Sequence, residues 1–262
     1  MLWEDIRLIR DQAPLVHNIT NYVVMNTTAN ALLAVGASPV MAHAIEEVEA
    51  MVGLARALVL NIGTLSGPWI ESMLRAGREA RRRGIPVVLD PVGSGATPLR
   101  TATALRLLEE VAPTIVRGNA SEIASLAGGP GGTKGVDSTR ASGETVELAR
   151  ALASRWHCVV SVSGPTDYIV SDAGAFRVDN GHAMMPRVTG LGCTASALTG
   201  AFAAVNPEPL HAAAHAMALM GIAGELAGAI SPGPGSFQVH FLDALYRIGE
   251  SDVRGRLQLS PA

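Results

Sequence analysis

Short apolar runs alternate with longer segments of mixed hydrophobic and polar residues through most of the chain. We predict strands at 57–62, 86–89, 114–116 and 158–162, and helices at 68–82, 99–111, 119–126 and 144–154. A hairpin is predicted at Tyr168–Ser171 and Ala175–Val178, and long helices after Cys193. Alternating strands and helices are typical of a parallel sheet that is covered by helices on both faces. The pattern therefore predicts an α/β fold, in one domain that spans residues 1–262.

Polar or glycine-rich sequences follow these predicted strands. They are Asn61–Thr64, Asp90–Gly95, Arg117–Asn119, Ser163–Gly164 and the later loop Val188–Ser196. In an open parallel sheet, ligands bind beyond the carboxyl ends of the strands. Several such sequences at one predicted edge indicate a shared binding site more strongly than any one of them does.

The loop at Val188–Ser196 carries two glycines, a thiol and hydroxyl groups just before an alanine-rich helix. The first amides of a helix are unpaired donors at the positive end of its dipole, where a phosphate can bind. We therefore expect the amides of Gly190, Leu191, Gly192 and Cys193 to form an anion hole. A thiol in such a place is expected to have a lowered pKa. The alternative is a glycine turn with a buried free cysteine.

Asp90 follows an apolar strand and precedes a glycine-rich turn. One interpretation is a carboxylate that helps to hold Mg²⁺ beside substrate phosphates, which is the usual way in which proteins bind this ion. The other is an aspartate that caps the next turn. Taken alone, the sequence around Asp90 does not decide between them.

The segment Arg117–Glu122 also has two interpretations. Arg117 is suited to hold a phosphate because its guanidinium is planar and always charged, and Glu122 could join Asp90 around the metal. Alternatively, Asn119 caps a helix with Glu122 three residues later, as in a capping box. Both can be true of the same residues. Ser163, at the end of the next strand, offers a hydroxyl to a nucleotide phosphate or simply ends the strand.

Two sequences near the start of the chain are candidates for a substrate pocket. His17–Asn21 is polar and precedes a helix-like segment, so it could line the pocket or form a turn with an N-cap. Ser38–Ala42 could supply an apolar wall through Met41, although methionine is also common in protein cores.

Composition and missing motifs exclude several classes of function. The net charge is −3 and aromatic residues make up 4% of the chain, so we expect no nucleic-acid partner. No P-loop, dinucleotide fingerprint or nucleophile elbow occurs. The two cysteines do not form a secreted framework, and no signal peptide is evident, so a cytoplasmic location is expected.

Two further segments carry expectations about the surface and the membrane. The apolar stretch Ala212–Ile230 is alanine-rich and contains His215 and Glu225, so we interpret it as a buried helix and expect no membrane association. His211 and His215 lack acidic or cysteine partners, which argues against zinc. The glycine-rich stretch Gly128–Gly143 is expected to form a surface loop or lid.

A set of sequence blocks, spread in order over most of the chain, resembles hydroxyethylthiazole kinase of thiamine biosynthesis and salvage. The blocks are Val16–Asn21, Gly36–Ala42, Leu58–Leu65, Leu89–Gly93, Arg117–Ile123, Asn180–His182 and Thr189–Cys193. Each block alone is weak, but the ordered set is specific to that family.

The resemblance implies a ribokinase-like three-layer α/β/α sandwich that phosphorylates 4-methyl-5-(2-hydroxyethyl)thiazole with ATP and Mg²⁺. It also implies a homotrimer with thiazole pockets at the subunit interfaces. The residue roles that it implies are substrate contact for Met41 and Gly190, ATP contact for Arg117 and Ser163, and the magnesium–phosphate region for Asp90 and Glu122. Cys193 takes the place where related sugar kinases carry a catalytic aspartate.

Three positions depart from the family pattern. Leu191 replaces a residue that is usually small, Pro165 stands where relatives often have an acidic residue, and the loop after Gly128 is unusual. Alternative functions are a kinase for the hydroxymethylpyrimidine half of thiamine, a dehydratase of damaged nicotinamide cofactors, and a thiazole- or nucleotide-binding protein without catalytic activity. The Cys193 loop and His17–Asn21 favour the thiazole kinase over the other two enzymes, and the complete set of site residues disfavours the binding protein.

Overall fold

The strands form one sheet in a computed structural model that describes residues 1–128 and 141–262. Their bounds are β1 Leu15–Ile19, β2 Ser38–Val40, β3 Ala57–Asn61, β4 Val87–Asp90, β5 Ile115–Asn119, β6 Val159–Ser163, β7 Asp167–Ser171, β8 Gly174–Val178 and β9 Leu259–Pro261. The spatial order of the nine strands is β2-β1-β3-β4-β5-β6-β7-β8-β9. Neighbours from β2 to β6 pair in parallel, and β7, β8 and β9 add an antiparallel edge.

Helices cover both faces of this sheet. Their bounds are α1 Leu2–Gln12, α2 Met25–Val35, α3 Val48–Val52, α4 Gly67–Arg83, α5 Pro98–Val111, α6 Ala120–Leu126, α7 Ala141–Trp156, α8 Leu191–Ala203, α9 Pro209–Gly228, α10 Pro234–Arg247 and α11 Glu250–Arg256. A short 3-10 helix, Met185–Arg187, precedes α8.

The core is divided into two layers by the central strands, because successive residues of a strand point to opposite faces. Ala57 and Val59 of β3 pack with α1, α2, α8, α9 and α10, whereas Leu58 and Leu60 pack with the helices of the other face. Every residue of β3 is buried, as expected for a strand that is covered on both sides. The α/β class and the three-layer arrangement that we predicted are therefore confirmed.

Local sequence signals set several helix boundaries. Ser66 caps α4 by accepting a hydrogen bond from the amide of Trp69 (3.4 Å), and Gly84 ends this helix at a positive φ of 68°. Thr97 caps α5 in the same way. The predicted helices and the hairpin are confirmed, with ends that differ by a few residues.

The start of the chain differs from the prediction. His17 and Asn18 lie inside β1 and are fully buried, so the interpretation of these two residues as part of a turn is wrong. The N-cap of α2 is Val24, which makes no side-chain cap. The sequence does not reveal this strand, because His17 and Asn18 are polar although they are buried. The strand therefore lacks the regular alternation of apolar and polar residues by which a strand is recognised.

Two expectations about surface segments have different outcomes. Helix α9 is long and apolar enough to cross a membrane, but 78% of its most apolar window is buried inside the protein, which confirms the interpretation as a core helix. The predicted loop or lid at Gly128–Gly143 lies mostly outside the described residues.

Candidate active site

The parallel strands bring the candidate polar residues to one edge of the sheet. Asn61 at the end of β3 is paired in register with Asp90 at the end of β4, and Asn119 at the end of β5 is paired with Ser163 at the end of β6. Helix α8 contacts β1, β3 and β4, and its N-terminus brings the loop that contains Cys193 to this edge. The predicted convergence of the strand-end sequences is therefore present.

Helix α8 begins with Gly190 as its N-cap. Gly190 has a positive φ of 85°, and a Cβ built there would lie 2.7 Å from Cγ1 of Val24. The position thus requires glycine for its backbone conformation and for its space. The first intrahelical hydrogen bond runs from the amide of Thr194 to the carbonyl of Gly190 (2.8 Å), so the three preceding amides are the free donors of the first turn.

Arg117 lies against this helix start. Its Nη2 donates to Ser163 Oγ at 2.7 Å, and its Nη1 is 2.9 Å from a Cβ built on Gly192. Only a glycine at position 192 lets the guanidinium approach so closely. The Nε of Arg117 is buried and has no hydrogen-bond partner among the described residues. The guanidinium and the free amides of α8 therefore form a positively polarised pocket with unused donors.

Asp90 is buried and accepts two side-chain hydrogen bonds at Oδ2, from Asn61 Nδ2 (2.7 Å) and Ser196 Oγ (2.8 Å). Within the described residues, no hydrogen bond reaches Oδ1. Burial raises the pKa of Asp90 to about 6, the charge of Glu122 adds to this, and Arg117, Ser196 and Asn61 oppose it. A carboxylate with one free oxygen beside Arg117 suits a cation that is also held by phosphate oxygens.

Glu122 forms the capping box that the sequence indicated as one interpretation. Its Oε2 accepts from the amide of Asn119 and its Oε1 from the amide of Gly93, both at 2.8 Å, while Asn119 Oδ1 accepts from the amide of Glu122 at 2.9 Å. The capping interpretation is confirmed. The described residues contain no group of three or more His, Cys, Asp or Glu side chains arranged for a metal, so Mg²⁺ here would depend on phosphate ligands.

Cys193 occupies the third position of α8 and is partly buried. Asn21 Nδ2 donates to its Sγ at 3.5 Å. Burial raises the pKa of the Cys193 thiol to about 11, and the negative charge of Asp90 adds to the effect, although Asn61, Asn21 and Arg117 partly offset it. The expected lowered pKa is therefore wrong. Desolvation and a nearby carboxylate outweigh the helix dipole at this position.

A cavity of about 700 Å³ opens beside the helix start. Its polar end includes Arg117, Ser163 and Gly190–Gly192, and its apolar wall includes Met185, Met217 and Met220. Met41 is not among the residues that line it; it lies half-buried in the segment that follows β2. Of the predicted site residues, Arg117, Ser163, Gly190, Leu191 and Gly192 line this cavity, whereas Asp90, Glu122, Cys193 and Met41 do not.

Sequence reasoning missed two side chains at the site. Ser196 lies three residues after Cys193, a helical spacing that could have shown that both face the same strand ends. Asp167 lines the cavity two residues after Pro165, and its Oδ1 accepts from the amide of Gly164 at 2.9 Å. Burial raises the pKa of Asp167 to about 6.

Comparison with known proteins identifies the family. A family model described as the hydroxyethylthiazole kinase family matches residues 6–251. The hydroxyethylthiazole kinase of Syntrophus aciditrophicus (strain SB) is 60% identical over 258 residues, which cover 98% of this chain and 96% of that protein. The chain belongs to the hydroxyethylthiazole kinase family. The resemblance found in the sequence is thereby confirmed.

Solved structures agree with this membership. A hydroxyethylthiazole kinase protein from Pyrococcus horikoshii OT3 superposes with a TM-score of 0.93 and 46% identity, covering 100% of this chain and 98% of that one. Pyridoxal kinase from Staphylococcus aureus, solved with pyridoxal, superposes with a TM-score of 0.67 at 16% identity, covering 95% and 97% of the two chains. The second likeness supports the ribokinase-like fold alone.

The departures at Leu191 and Pro165 are accommodated in this member of the hydroxyethylthiazole kinase family. Leu191 is buried, packs in the core layer that contains α8 and α9, and also lines the cavity. Pro165 lines the cavity, where the carboxylate of Asp167 supplies an acidic group nearby. The block Asn180–His182 has a structural part, because Asn180 binds Glu225 and the backbone of Arg256 and Gln258.

Proposed function

We propose that this protein transfers the γ-phosphoryl group of ATP to the hydroxyl of 4-methyl-5-(2-hydroxyethyl)thiazole. The observation that carries the proposal is the free first turn of α8, with the Arg117 guanidinium packed against Gly192. Family membership supplies the acceptor class, and the cavity of about 700 Å³ has the size of a small-molecule site.

The reaction is an in-line displacement at the γ-phosphorus. The alcohol oxygen forms a bond to phosphorus, the bond to the bridging oxygen of ADP breaks, and the alcohol proton is released to solvent. Catalysis of this kind depends on positioning and charge stabilisation. The amides of Leu191, Gly192 and Cys193 hold the oxygens of the moving phosphoryl group, and Arg117 adds a full positive charge. Ser163 keeps the guanidinium in place through its hydroxyl.

Asp90 and Glu122 are the residues that would hold Mg²⁺ together with the phosphates. The ion, when bound, neutralises phosphate charge and leaves the chain's own groups to orient the acceptor. The free Oδ1 of Asp90 is the better donor, because both oxygens of Glu122 already accept backbone hydrogen bonds.

Cys193 orients the acceptor alcohol. A thiol with a pKa of about 11 is protonated at neutral pH, so a role as general base contributes little before substrate binds. Its Sγ is held by Asn21 at the mouth of the anion hole, where an alcohol must sit to meet the γ-phosphorus in line.

The assembly that we propose is a homotrimer in the cytoplasm, with Met41 completing a thiazole pocket next to a second copy. Exposed apolar side chains support association of copies. Leu33 on α2 is 58% exposed, and Val239 and Tyr246 on α10 are 59% and 73% exposed; these two helices pack on each other. Exposed large apolar side chains on two helices that pack on each other favour a subunit interface there.

The decisive experiment measures ADP release with ATP, Mg²⁺ and the thiazole alcohol, with hydroxymethylpyrimidine as the parallel acceptor. We expect thiazole-dependent ADP and a phosphorylated thiazole by mass spectrometry. Turnover of the pyrimidine alone, or ligand binding without ADP from folded protein, would refute the proposed reaction. Light scattering gives the assembly, because a trimer has three times the subunit mass of 27.1 kDa.

A further inference from the structure

Asn61 is the last residue of β3 and is 1% exposed. Hydrogen bonds link it to the carboxylate of Asp90 and, through Asn21, to the thiol of Cys193. Its Nδ2 donates to Asp90 Oδ2 at 2.7 Å. Its Oδ1 accepts from Asn21 Nδ2 and from the amide of Gly63, both at 2.9 Å. Both ends of this carboxamide therefore have partners, which fixes the orientation of the side chain.

Asn21 continues the chain of contacts to the thiol. Its Nδ2, which donates to Asn61, also donates to Cys193 Sγ at 3.5 Å, and its Oδ1 accepts from the amide of Val23 at 3.1 Å. Space around it is tight, since a Cβ built on Gly63 would lie 2.5 Å from this nitrogen. The side chain cannot shift without breaking one of these contacts.

We propose that Asn61 is a positioning residue that sets the placement of Cys193 relative to Asp90. This proposal rests on the proposed function, because the placement of Cys193 relative to Asp90 affects turnover only if the two groups act in phosphoryl transfer. The Oδ1 of Asn61 accepts from Asn21, which donates to the Cys193 thiol, and the Nδ2 of Asn61 donates to the Asp90 carboxylate. An aspartate would lose the donor and a leucine would lose both groups, so an amide of this length is the side chain that suits the site.

The physical basis is the rigidity of β3. Its neighbours β1 and β4 pair with it in parallel, and each of its residues is buried. Asn21 follows β1, Asp90 ends β4, and Cys193 lies on α8, so the groups come from separate elements. A polar bridge at the end of the central strand holds them in one geometry, and small displacements of reacting groups are costly in catalysis.

Ser196 provides an internal comparison. Its hydroxyl also donates to Asp90 Oδ2, at 2.8 Å, and in the described part of the chain no hydrogen bond joins it to Asn21. Ser196→Ala therefore removes a donor from Asp90 and leaves the thiol side intact. Asn21→Ala removes the donor from Cys193 and leaves both donors to Asp90. Asn61→Ala disturbs both sides.

The test compares these three variants in a Cys158→Ala background, in which Cys193 is the only thiol. The first readout is the rate of Cys193 alkylation by iodoacetamide at fixed pH without nucleotide, followed by mass spectrometry. The second is the Mg²⁺ concentration for half-maximal turnover, together with kcat and KM for the thiazole alcohol. Thermal unfolding and circular dichroism establish that each variant is folded.

We expect alkylation to slow by about three- to tenfold in Asn21→Ala, because the N–H donor that stabilises the thiolate is lost. We expect a similar slowing in Asn61→Ala, because Asn21 loses the acceptor that orients this donor, and no change in Ser196→Ala. The Mg²⁺ requirement should rise in Asn61→Ala and Ser196→Ala and stay unchanged in Asn21→Ala. The double variant Asn61→Ala/Asn21→Ala should alkylate no more slowly than the slower single variant.

Wild-type alkylation in Asn61→Ala, or single effects that multiply in the double variant, would overturn the proposal. If Asn61→Ala does not fold, unchanged alkylation in Asn21→Ala overturns it, and slowed alkylation there, with Ser196→Ala unchanged, supports it. Failure of the proposed function is seen separately, as wild-type protein that alkylates normally and releases no thiazole-dependent ADP.

Discussion

Substitution of Gly190 by alanine tests whether the start of α8 is shaped by conformation and by space together. Gly190 has a φ of 85°, which side chains rarely adopt, and a new Cβ would lie 2.7 Å from Val24 Cγ1. Val24 is 3% exposed and has little freedom to move away. Gly84, at the end of α4, is a matched control because it has a φ of 68° and nothing within 4 Å of a built Cβ.

The expected loss of stability in Gly190→Ala is the sum of the conformational cost and the cost of the steric clash. A left-handed conformation costs an L-residue about 1–2 kcal/mol, and overpacking a filled core costs about 1–3 kcal/mol. We therefore expect Gly190→Ala to lower the free energy of unfolding by about 2–5 kcal/mol and Gly84→Ala by about 1–2 kcal/mol. The lower entropy of the unfolded chain with alanine affects both variants alike and cancels in their difference.

Urea unfolding of both variants measures this difference, and Gly190→Ala is repeated in a Val24→Ala background. The background should reduce the cost of Gly190→Ala by about 1–3 kcal/mol, because only the clash is relieved. Displacement of the first-turn amides should also lower kcat by about 100-fold. Equal costs at positions 190 and 84, together with no relief from Val24→Ala, would refute the account of the helix start.

Three further outcomes are expected. Cys193→Ala should lower kcat by less than about 100-fold, which is below the range of general-base effects, because the thiol with a pKa of about 11 is a poor base while the amides remain. Ser163→Ala should raise KM for ATP by about tenfold as Arg117 loses its anchor, and Ser163→Thr should restore it. Asp5→Asn should cost about 2 kcal/mol at pH 7, because the buried carboxylate Oδ2 of Asp5 lies 2.7 Å from both His215 Nδ1 and Asn206 Nδ2.

The Asp5 variant also tests a pH dependence. Burial alone raises the pKa of Asp5, but hydrogen bonds from His215 and Asn206 outweigh it, so the net pKa is lowered from 3.8. A lowered pKa gives stability that is present above pH 3.8 and is lost as the pH falls through the folded-state pKa. Urea unfolding of the wild type should show this acid loss, and Asp5→Asn should show less of it.

Each of these outcomes can be contradicted. A loss above about 100-fold in Cys193→Ala would restore the thiol as the general base. Unchanged KM for ATP in Ser163→Ala would remove that hydroxyl from nucleotide binding. Parallel acid unfolding curves for wild type and Asp5→Asn would show that the buried pair does not contribute to acid stability.

Local pattern was sufficient for the elements whose burial is regular. The apolar run at 57–62 and the mixed segments at 68–82 and 99–111 predict the positions of β3, α4 and α5 directly. The capping box at Asn119 and Glu122 was also visible from spacing. These features depend on residues that are close in the sequence, so they can be predicted without the tertiary structure.

Strand β1 and the pKa of Cys193 were predicted wrongly for related reasons. His17 and Asn18 look like loop residues, yet they are buried in a strand whose position is decided by its neighbours β2 and β3. The helix dipole predicts a lowered thiol pKa, but desolvation and the charge of Asp90 raise it. How deeply a residue is buried depends on the packed molecule and cannot be read from the local sequence. The errors about β1 and about the pKa of Cys193 both have this origin.

The sequence by itself determined the α/β class, the alternation of strands and helices from β3 onward and the residue types available at the strand ends, because periodicity and composition encode them. The tertiary structure alone decided which of those groups meet. Asn21, Asn61 and Asp90 lie far apart in the chain from each other and from Cys193 and Ser196 of α8. They share one network because parallel pairing aligns the strand ends and α8 packs across them. Contact between distant residues depends on that register and packing, which no local pattern contains.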